Sequence, residues 1–259
     1  MNTKPTLVNL EGKKGLILGA ANERSIAWGC ASMAQKMGAD VLLTCLNEKA
    51  RPYVEPLSMP LGIDLEVCNV EEPDALLHLV EKAVQKWGRL DFVIHSIAWA
   101  PLEDLHGRVI DSSSVGFSRA MEVSCHSFAT LAQLCAPYMN QGGAMLTMTY
   151  LGANEVVPHY GLMGPVKAAL ESLVRYMAVE LGPLNIRVHA VSPGPILTRA
   201  ASGIESFDEL MQHAIEKSPL GRTVELEEIA NLCAFLCSDA AKGMTGQTIY
   251  IDAGCHAVG

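Results

Sequence analysis

Short apolar runs alternate with amphipathic stretches along almost the whole of this 259-residue chain, with no linker-like or low-complexity break. Residues 14–20 read as a strand and 25–37 as a helix, with Ile26, Cys30, Met33, Ala34 and Met37 as its buried stripe and Gly38 as its stop. Strands follow at 41–46 and 65–70, then a helix over 73–87 with an acidic first turn and Gly88 at its end. Segment 90–98 is apolar on both faces of a strand, and a long helical pattern runs from 113 to 138. A strand at 144–150, a helix at 159–181 and a strand at 186–192 come next, followed by helices at 207–217 and 226–236 and a strand at 247–252. Seven strands alternating with helices predict a parallel, doubly wound α/β sheet flanked by helices. The whole span 1–259 is expected to form a single domain.

Composition narrows the class. A hydrophobic content of 49% and a mean hydropathy of +0.21 suit strands buried on both faces. No apolar run approaches the ~20 residues that span a bilayer, and residues 1–15 lack the pattern of a signal peptide, so a cytoplasmic protein without membrane partners is expected. A net charge of −9 argues against nucleic acid as a partner. The eight cysteines are scattered, most of them inside apolar strand or helix patterns. Cys233 and Cys237 lack a second pair at zinc spacing, so reduced, buried thiols and no metal site are expected.

Candidate chemistry collects where strands end, because ligands of doubly wound sheets lie beyond the carboxyl ends of the strands. Small residues at Gly19, Ala20 and Ala21, leading into a helix, suit a pyrophosphate lying against backbone and helix N-terminus; a plain strand-to-helix turn has the same sequence. Asn69 closes the third strand with an amide suited to an adenine edge. His95, Ser96, Ile97 and Ala98 close the fourth, where a flat ring could lie. His95 itself reads better as a satisfied core histidine than as a catalytic one. Thr198, after the rigid Pro193-Gly194-Pro195 loop, is placed to bond the carboxamide or phosphate of a nicotinamide cofactor. Tyr160 and Lys167 are seven positions apart, two helical turns, which puts both on one side of a helix and lets the ammonium lower the phenol's pKa.

Taken together these stretches resemble the short-chain dehydrogenase/reductase superfamily, and within it the bacterial enoyl-[acyl-carrier-protein] reductases. The resemblance is carried by Gly19-Ala20-Ala21…Ser25-Ile26-Ala27, His95-Ser96-Ile97-Ala98, Tyr150…Tyr160…Met163-Gly164…Lys167-Ala168, Gly194-Pro195-Ile196…Thr198, and Phe235 to Asp239, and it spans about residues 11–253. An ordinary superfamily member separates its tyrosine and lysine by three residues; here six intervene, with a further tyrosine ten positions upstream, which is the enoyl reductase layout. The Asn that ordinary members carry on the fourth helix is absent from Ala120–His126. Departures from the family pattern are Leu46 where a Gln commonly meets the adenosine ribose, Asn69 for Asp, Ala98-Trp99 for a Gly-Phe pair, His126 for an aromatic, and Pro165 at the start of the lysine helix.

The resemblance implies a Rossmann-type fold and NADH-dependent reduction of the double bond of a trans-2-enoyl thioester on acyl carrier protein. It assigns Tyr150, Tyr160 and Lys167 to catalysis. Gly19, Ser25, Ile26, Leu46, Asn69, Val70, Ile97, Lys167, Ile196, Leu197, Thr198 and Ala200 would bind the cofactor. Ala100, Tyr150, Tyr160 and Met163 would meet the substrate. A substrate-binding lid over about 198–217 and a homotetramer paired through the helices near 113–139 and 159–181 are also implied. NADPH is the alternative cofactor; with no carboxylate at the end of the second strand, the choice turns on Glu48 against Lys49 and Arg51. Two other readings share these residues: a general short-chain dehydrogenase acting on carbonyls and alcohols, and a cofactor-binding paralogue with little turnover.

Overall fold

In the computed structural model, residues 8–199, 201–203 and 206–258 are described. Seven strands form one sheet: β1 Lys14–Ala20, β2 Asp40–Cys45, β3 Asp64–Val67, β4 Phe92–His95, β5 Gly143–Met148, β6 Ile186–Pro193 and β7 Gln247–Ile251. All pairings are parallel, and the spatial order is β3-β2-β1-β4-β5-β6-β7. β1 is therefore flanked by β2 and β4, with Leu16 in register with Leu42 on one side and Val93 on the other. The winding direction reverses between β1 and β4, and a crevice opens beyond their carboxyl ends.

The helices are α1 Ile26–Lys36, α2 Arg51–Ser58, α3 Ala75–Trp87, α4 Leu102–Leu105, α5 Ser114–Met121, α6 Ser127–Cys135, α7 Met163–Leu181, α8 Phe207–Lys217 and α9 Leu226–Cys237. Alternate strand residues feed two cores, one on each face of the sheet. Leu16, Leu18, Val93, Met145 and Val188 pack against α3, α6 and α7, whereas Ile17, Leu43, Phe92, Ile94 and Leu146 pack against α1 and α9. All eight cysteines are free and buried in or beside these layers.

Four expectations change. Helix α2 falls where no element was expected; Pro52 sits in its first turn, where a missing N–H costs no intrahelical bond. The acidic residues expected inside the first turn of α3 precede it, since Asp74 is the cap residue with φ 59°. The single helix over 113–138 is broken by a π-turn at Glu122–His126 and ends in a 3₁₀ turn at Ala136–Tyr138. The helix expected from 159 begins at Met163, because His159 (φ 61°) and Gly161 (φ 50°) take left-handed backbone. Pro165 then lies in the first turn of α7, where it interrupts nothing.

Candidate active site

The turn after β1 is built on Gly19. Its φ of +105° and a hypothetical Cβ only 2.1 Å from the Ser96 carbonyl oxygen exclude any side chain, so the ends of β1 and β4 are drawn against each other. Ser25, at the N-cap of α1, turns its hydroxyl back to accept from Ala21 N–H (2.8 Å) and Asn22 N–H (3.0 Å) rather than forward onto the helix. The first-turn amides of α1 thus have no capping side chain, and they face the crevice with the positive end of the helix dipole. This cradle fits the pyrophosphate of a dinucleotide. Ile26 opens the helix, half-buried against the α1–α9 core.

The adenosine side would be lined by Leu46, 53% exposed just past β2, and by half-buried Asn69 and Val70 past β3. Asn69 Oδ1 accepts from Glu71 N–H at 3.2 Å, which fixes the turn. Glu71 in turn receives Arg119 of α5, with Nη2 to Oε2 at 3.1 Å, and that guanidinium stacks 4.4 Å from the Trp99 ring. On the opposite side of the crevice, half-buried Ile196 and half-exposed Leu197 follow β6, and Thr198 Oγ1 accepts from Ala201 N–H at 3.1 Å. Ala200 lies outside the described residues.

Beyond β4, Ile97 is partly buried against the α7-side core and Ala100 is 8% exposed. The π-turn shapes this stretch. Ser124 accepts from the Trp99 N–H at 2.8 Å and donates to the Trp99 carbonyl at 2.7 Å, locking the strand-end backbone. Ser127 bonds His95 Nε2 at 2.8 Å, and Thr147 bonds its Nδ1 at 3.1 Å. Both nitrogens are satisfied, and burial, helped by the Lys167 charge, holds the imidazole down to about 3. His95 is a neutral core residue, as its setting in a buried strand implied.

Tyr150 and Tyr160 meet past the end of β5, and Lys167 reaches the same strand end from α7. The two tyrosine rings are in contact, centroids 4.8 Å apart and tilted by 56°. Gly152 makes the room: a Cβ there would come within 2.4 Å of the Tyr160 ring. Lys167 reaches from α7 and donates to the Met148 carbonyl at 2.8 Å. Met163, in the first turn of α7, is buried nearby in the same core.

The expected effect of the lysine on the phenol is overturned. Tyr160 does not share a helix with Lys167, and burial, then Tyr150 and Glu171, push its pKa well up rather than down. Tyr150 is likewise raised, by burial first and by Cys255 and Asp252 after it. Burial draws Lys167 down to about 8, against opposing pulls from Cys125 and Glu171. The site therefore presents two phenolic O–H groups and an ammonium that stays largely protonated near neutrality.

Sequence reasoning passed over Glu171, Asn154, Ser124 and Ser127. Glu171 carried a signal: it lies four residues after Lys167 on an otherwise apolar helix face, so the two share a side. The serines carried none, since the π-turn that aims them leaves no mark on the hydrophobic period.

Residues 19–256 match the family described as enoyl-(acyl carrier protein) reductase. The chain is 44% identical, over 96% of its length and 92% of the relative's, to the NADH enoyl-[acyl-carrier-protein] reductase 1 of Rhizobium meliloti. An enoyl-(acyl-carrier-protein) reductase of Anaplasma phagocytophilum, solved in complex with NAD, superposes with a TM-score of 0.93 at 42% identity, covering 97% of both chains. The Bacillus cereus enoyl-acyl carrier protein reductase, solved with NADP+ and an indole naphthyridinone, gives a TM-score of 0.93 at 38% identity, covering 96% of this chain and 98% of that one.

Proposed function

The chain belongs to the enoyl-(acyl carrier protein) reductase family, and from that premise we propose that it reduces the carbon–carbon double bond of a trans-2-enoyl thioester on acyl carrier protein, with NADH as reductant. The observation that carries the reading is the placing of half-buried Tyr150 and of buried Tyr160 and Lys167 at the end of β5, in a fold whose Gly19 turn and α1 N-terminus suit a pyrophosphate. The chemistry that NADH would supply when bound is a hydride for C3 of the enoyl chain. Negative charge would then gather on the thioester oxygen as an enolate, and a proton taken up from water at C2 would complete the saturated acyl chain. Tyr160, held protonated by its burial, donates a hydrogen bond to that oxygen, a contribution of ~3 kcal/mol for one well-placed donor. Tyr150, packed on the Tyr160 ring, orients the thioester. Lys167 bonds the ribose and keeps the pocket electropositive, while Met163 and Ala100 line the acyl side. Gly19, Ser25, Ile26, Leu46, Asn69, Val70, Ile97, Ile196, Leu197, Thr198 and Ala200 hold the dinucleotide.

Two features favour NADH. Arg51 is bound to Glu48 (Nε to Oε2 at 2.8 Å) and to the Leu65 carbonyl at 3.3 Å, so its guanidinium is committed away from a ribose 2′-phosphate. No arginine follows Gly19 directly in the first loop to clamp such a phosphate. In this reading the enzyme works in the cytoplasm as a homotetramer, with segment 198–217 as the lid over the acyl chain. No helix among the described residues is long and apolar enough to cross a membrane.

The test is cofactor oxidation with a 2-enoyl thioester, NADH and NADPH run side by side and a 3-oxoacyl thioester as control. Turnover of the enoyl substrate with the lower KM for NADH is expected. Activity confined to the 3-oxoacyl substrate would point to carbonyl chemistry, and cofactor binding without turnover to an inactive paralogue. A KM for NADPH well below that for NADH would overturn the cofactor choice.

A further inference from the structure

Glu171 is 5% exposed on α7, yet it takes part in no ion pair among the described residues. A buried carboxylate without a bonded cation is costly to keep, so what its oxygens do bears on why it is there. One oxygen accepts from Thr149 Oγ1 at 2.8 Å and the other from Asn154 Nδ2 at 3.1 Å. Thr149 and Asn154 bracket the turn whose first residue is Tyr150, so a single carboxylate fastens both of its ends. The same turn contains Gly152, against which the Tyr160 ring lies. Asn154 Nδ2 also reaches the Tyr250 hydroxyl at 2.9 Å, which ties the turn to β7.

We propose that Glu171 is a positioning residue for the reaction, holding the 149–154 turn that carries Tyr150 and serving as counter-charge to Lys167 from one turn further along α7. The assignment rests on the enoyl reductase reading for what Tyr150 and Lys167 do. Three titratable groups interact with the Lys167 charge: Cys125 from the π-turn, His95 from β4 and Glu171 from α7 itself. The Cys125 thiol is pushed up by burial and His95 is held down to about 3, so both are neutral at physiological pH. Glu171 alone of the three carries a charge that opposes the desolvation of the ammonium.

The full-length protein and its Glu171→Gln, Glu171→Asp and Asn154→Ala variants would be titrated for NADH affinity across pH, and assayed for kcat with an enoyl thioester near pH 6.5. Glu171→Gln keeps the shape and removes the charge. Its NADH affinity should be lost at lower pH than in the wild type, the midpoint moving down by about one unit, whereas Glu171→Asp should keep the wild-type midpoint. Asn154→Ala loosens one end of the turn and keeps the charge; its kcat should fall about tenfold with no movement of the pH midpoint. A merely structural role for Glu171 would lower thermal stability without moving the midpoint. An unmoved midpoint in Glu171→Gln overturns the counter-charge role, and an unchanged kcat in Asn154→Ala overturns the hold on Tyr150. If the wild type binds NADH but fails to reduce the enoyl substrate, the functional reading falls while the pH dependence of binding still decides the charge role.

Discussion

A phenol pushed upward by burial keeps its proton throughout the physiological range, so in the proposed reaction Tyr160 would act as an O–H donor and not as a phenolate. Removing that one donor should cost turnover and little else. In Tyr160→Phe, kcat on an enoyl thioester is expected to fall about tenfold or more while the NADH dissociation constant stays within twofold. Loss of cofactor affinity in step with turnover would contradict the role. Lys167→Ala should show the reverse emphasis, with weakened NADH binding measured by cofactor fluorescence. His95 offers a separate check on the burial. Its imidazole takes a proton near 6.5 when unfolded but only near 3 in the fold. The unfolded chain therefore gains protons first as pH falls, and the stability His95 contributes above pH 6.5 is lost progressively down to about pH 3, on the order of 5 kcal/mol in all. Urea midpoints should drop across that window, with a shallower dependence in His95→Gln; parallel curves would show that other groups govern acid unfolding.

At the scale of elements, the strands were the most legible part of the chain, because a parallel strand covered on both faces is written as an unbroken apolar run bounded by polar turns. β1 and α8 match their expected bounds, and β3 and β4 are shorter than their apolar runs because those runs continue into the crevice loops. Helix α2 was hidden by its two prolines, and the π-turn by the fact that one extra residue leaves the apolar period looking intact. The site was legible in its residue types and less so in its geometry. Tyr160, Lys167 and the Gly19 turn could be named as candidates, but the left-handed backbone at His159 and Gly161 that takes Tyr160 off the helix has no periodic signature. The expected lid, 198–217, includes Ala200, Ile204 and Glu205, which lie outside the described residues. Among its described contacts, His106 Nε2 bonds the Gly203 carbonyl at 2.9 Å, Lys217 pairs with Glu155 at 3.0 Å, and Phe207, Leu210 and Ala214 of α8 are buried. A lid motion would have to release that apolar face of α8 as well as the polar contacts. Deuterium uptake across 198–217 is expected to fall when NADH and an enoyl analogue bind. Uptake that is already slow without ligand, and unchanged by it, would count against a lid.

For the whole molecule, the apolar surface of α7 is divided between the chain's own core and its exterior. Of the apolar residues that the sequence offers for subunit contacts on the two helices, Leu131, Leu170, Val174 and Met177 are buried within the single chain, and Leu134 and Leu173 are partly buried. The surplus instead lies in Tyr176 and Val179 on α7 and Val115 on α5, which are 69%, 78% and 75% exposed. Exposed apolar groups on α5 and α7 are what the proposed homotetramer would cover. Light scattering at micromolar concentration is expected to give a mass near four chains of 27.8 kDa. The double variant Tyr176→Asp, Val179→Asp should lower it, and a monomeric mass for the wild type would refute the assembly.

Eight thiols distributed through both layers, none of them open to solvent, also give this protein an internal gauge of its own breathing. A reagent that needs a thiolate finds Cys135 pushed up to about 12 and Cys68 to about 11, so labelling of the native state must wait for a local opening. Each cysteine then reports on a different neighbourhood: Cys45 and Cys68 beside the adenosine side of the crevice, Cys125 behind Lys167, and Cys30 and Cys233 between α1 and α9. Mass spectrometry of labelling rates with and without NADH would map, one sulfur at a time, which parts of the sheet the dinucleotide clamps shut. Cys45 and Cys68 are expected to slow most, and Cys30 and Cys233 least.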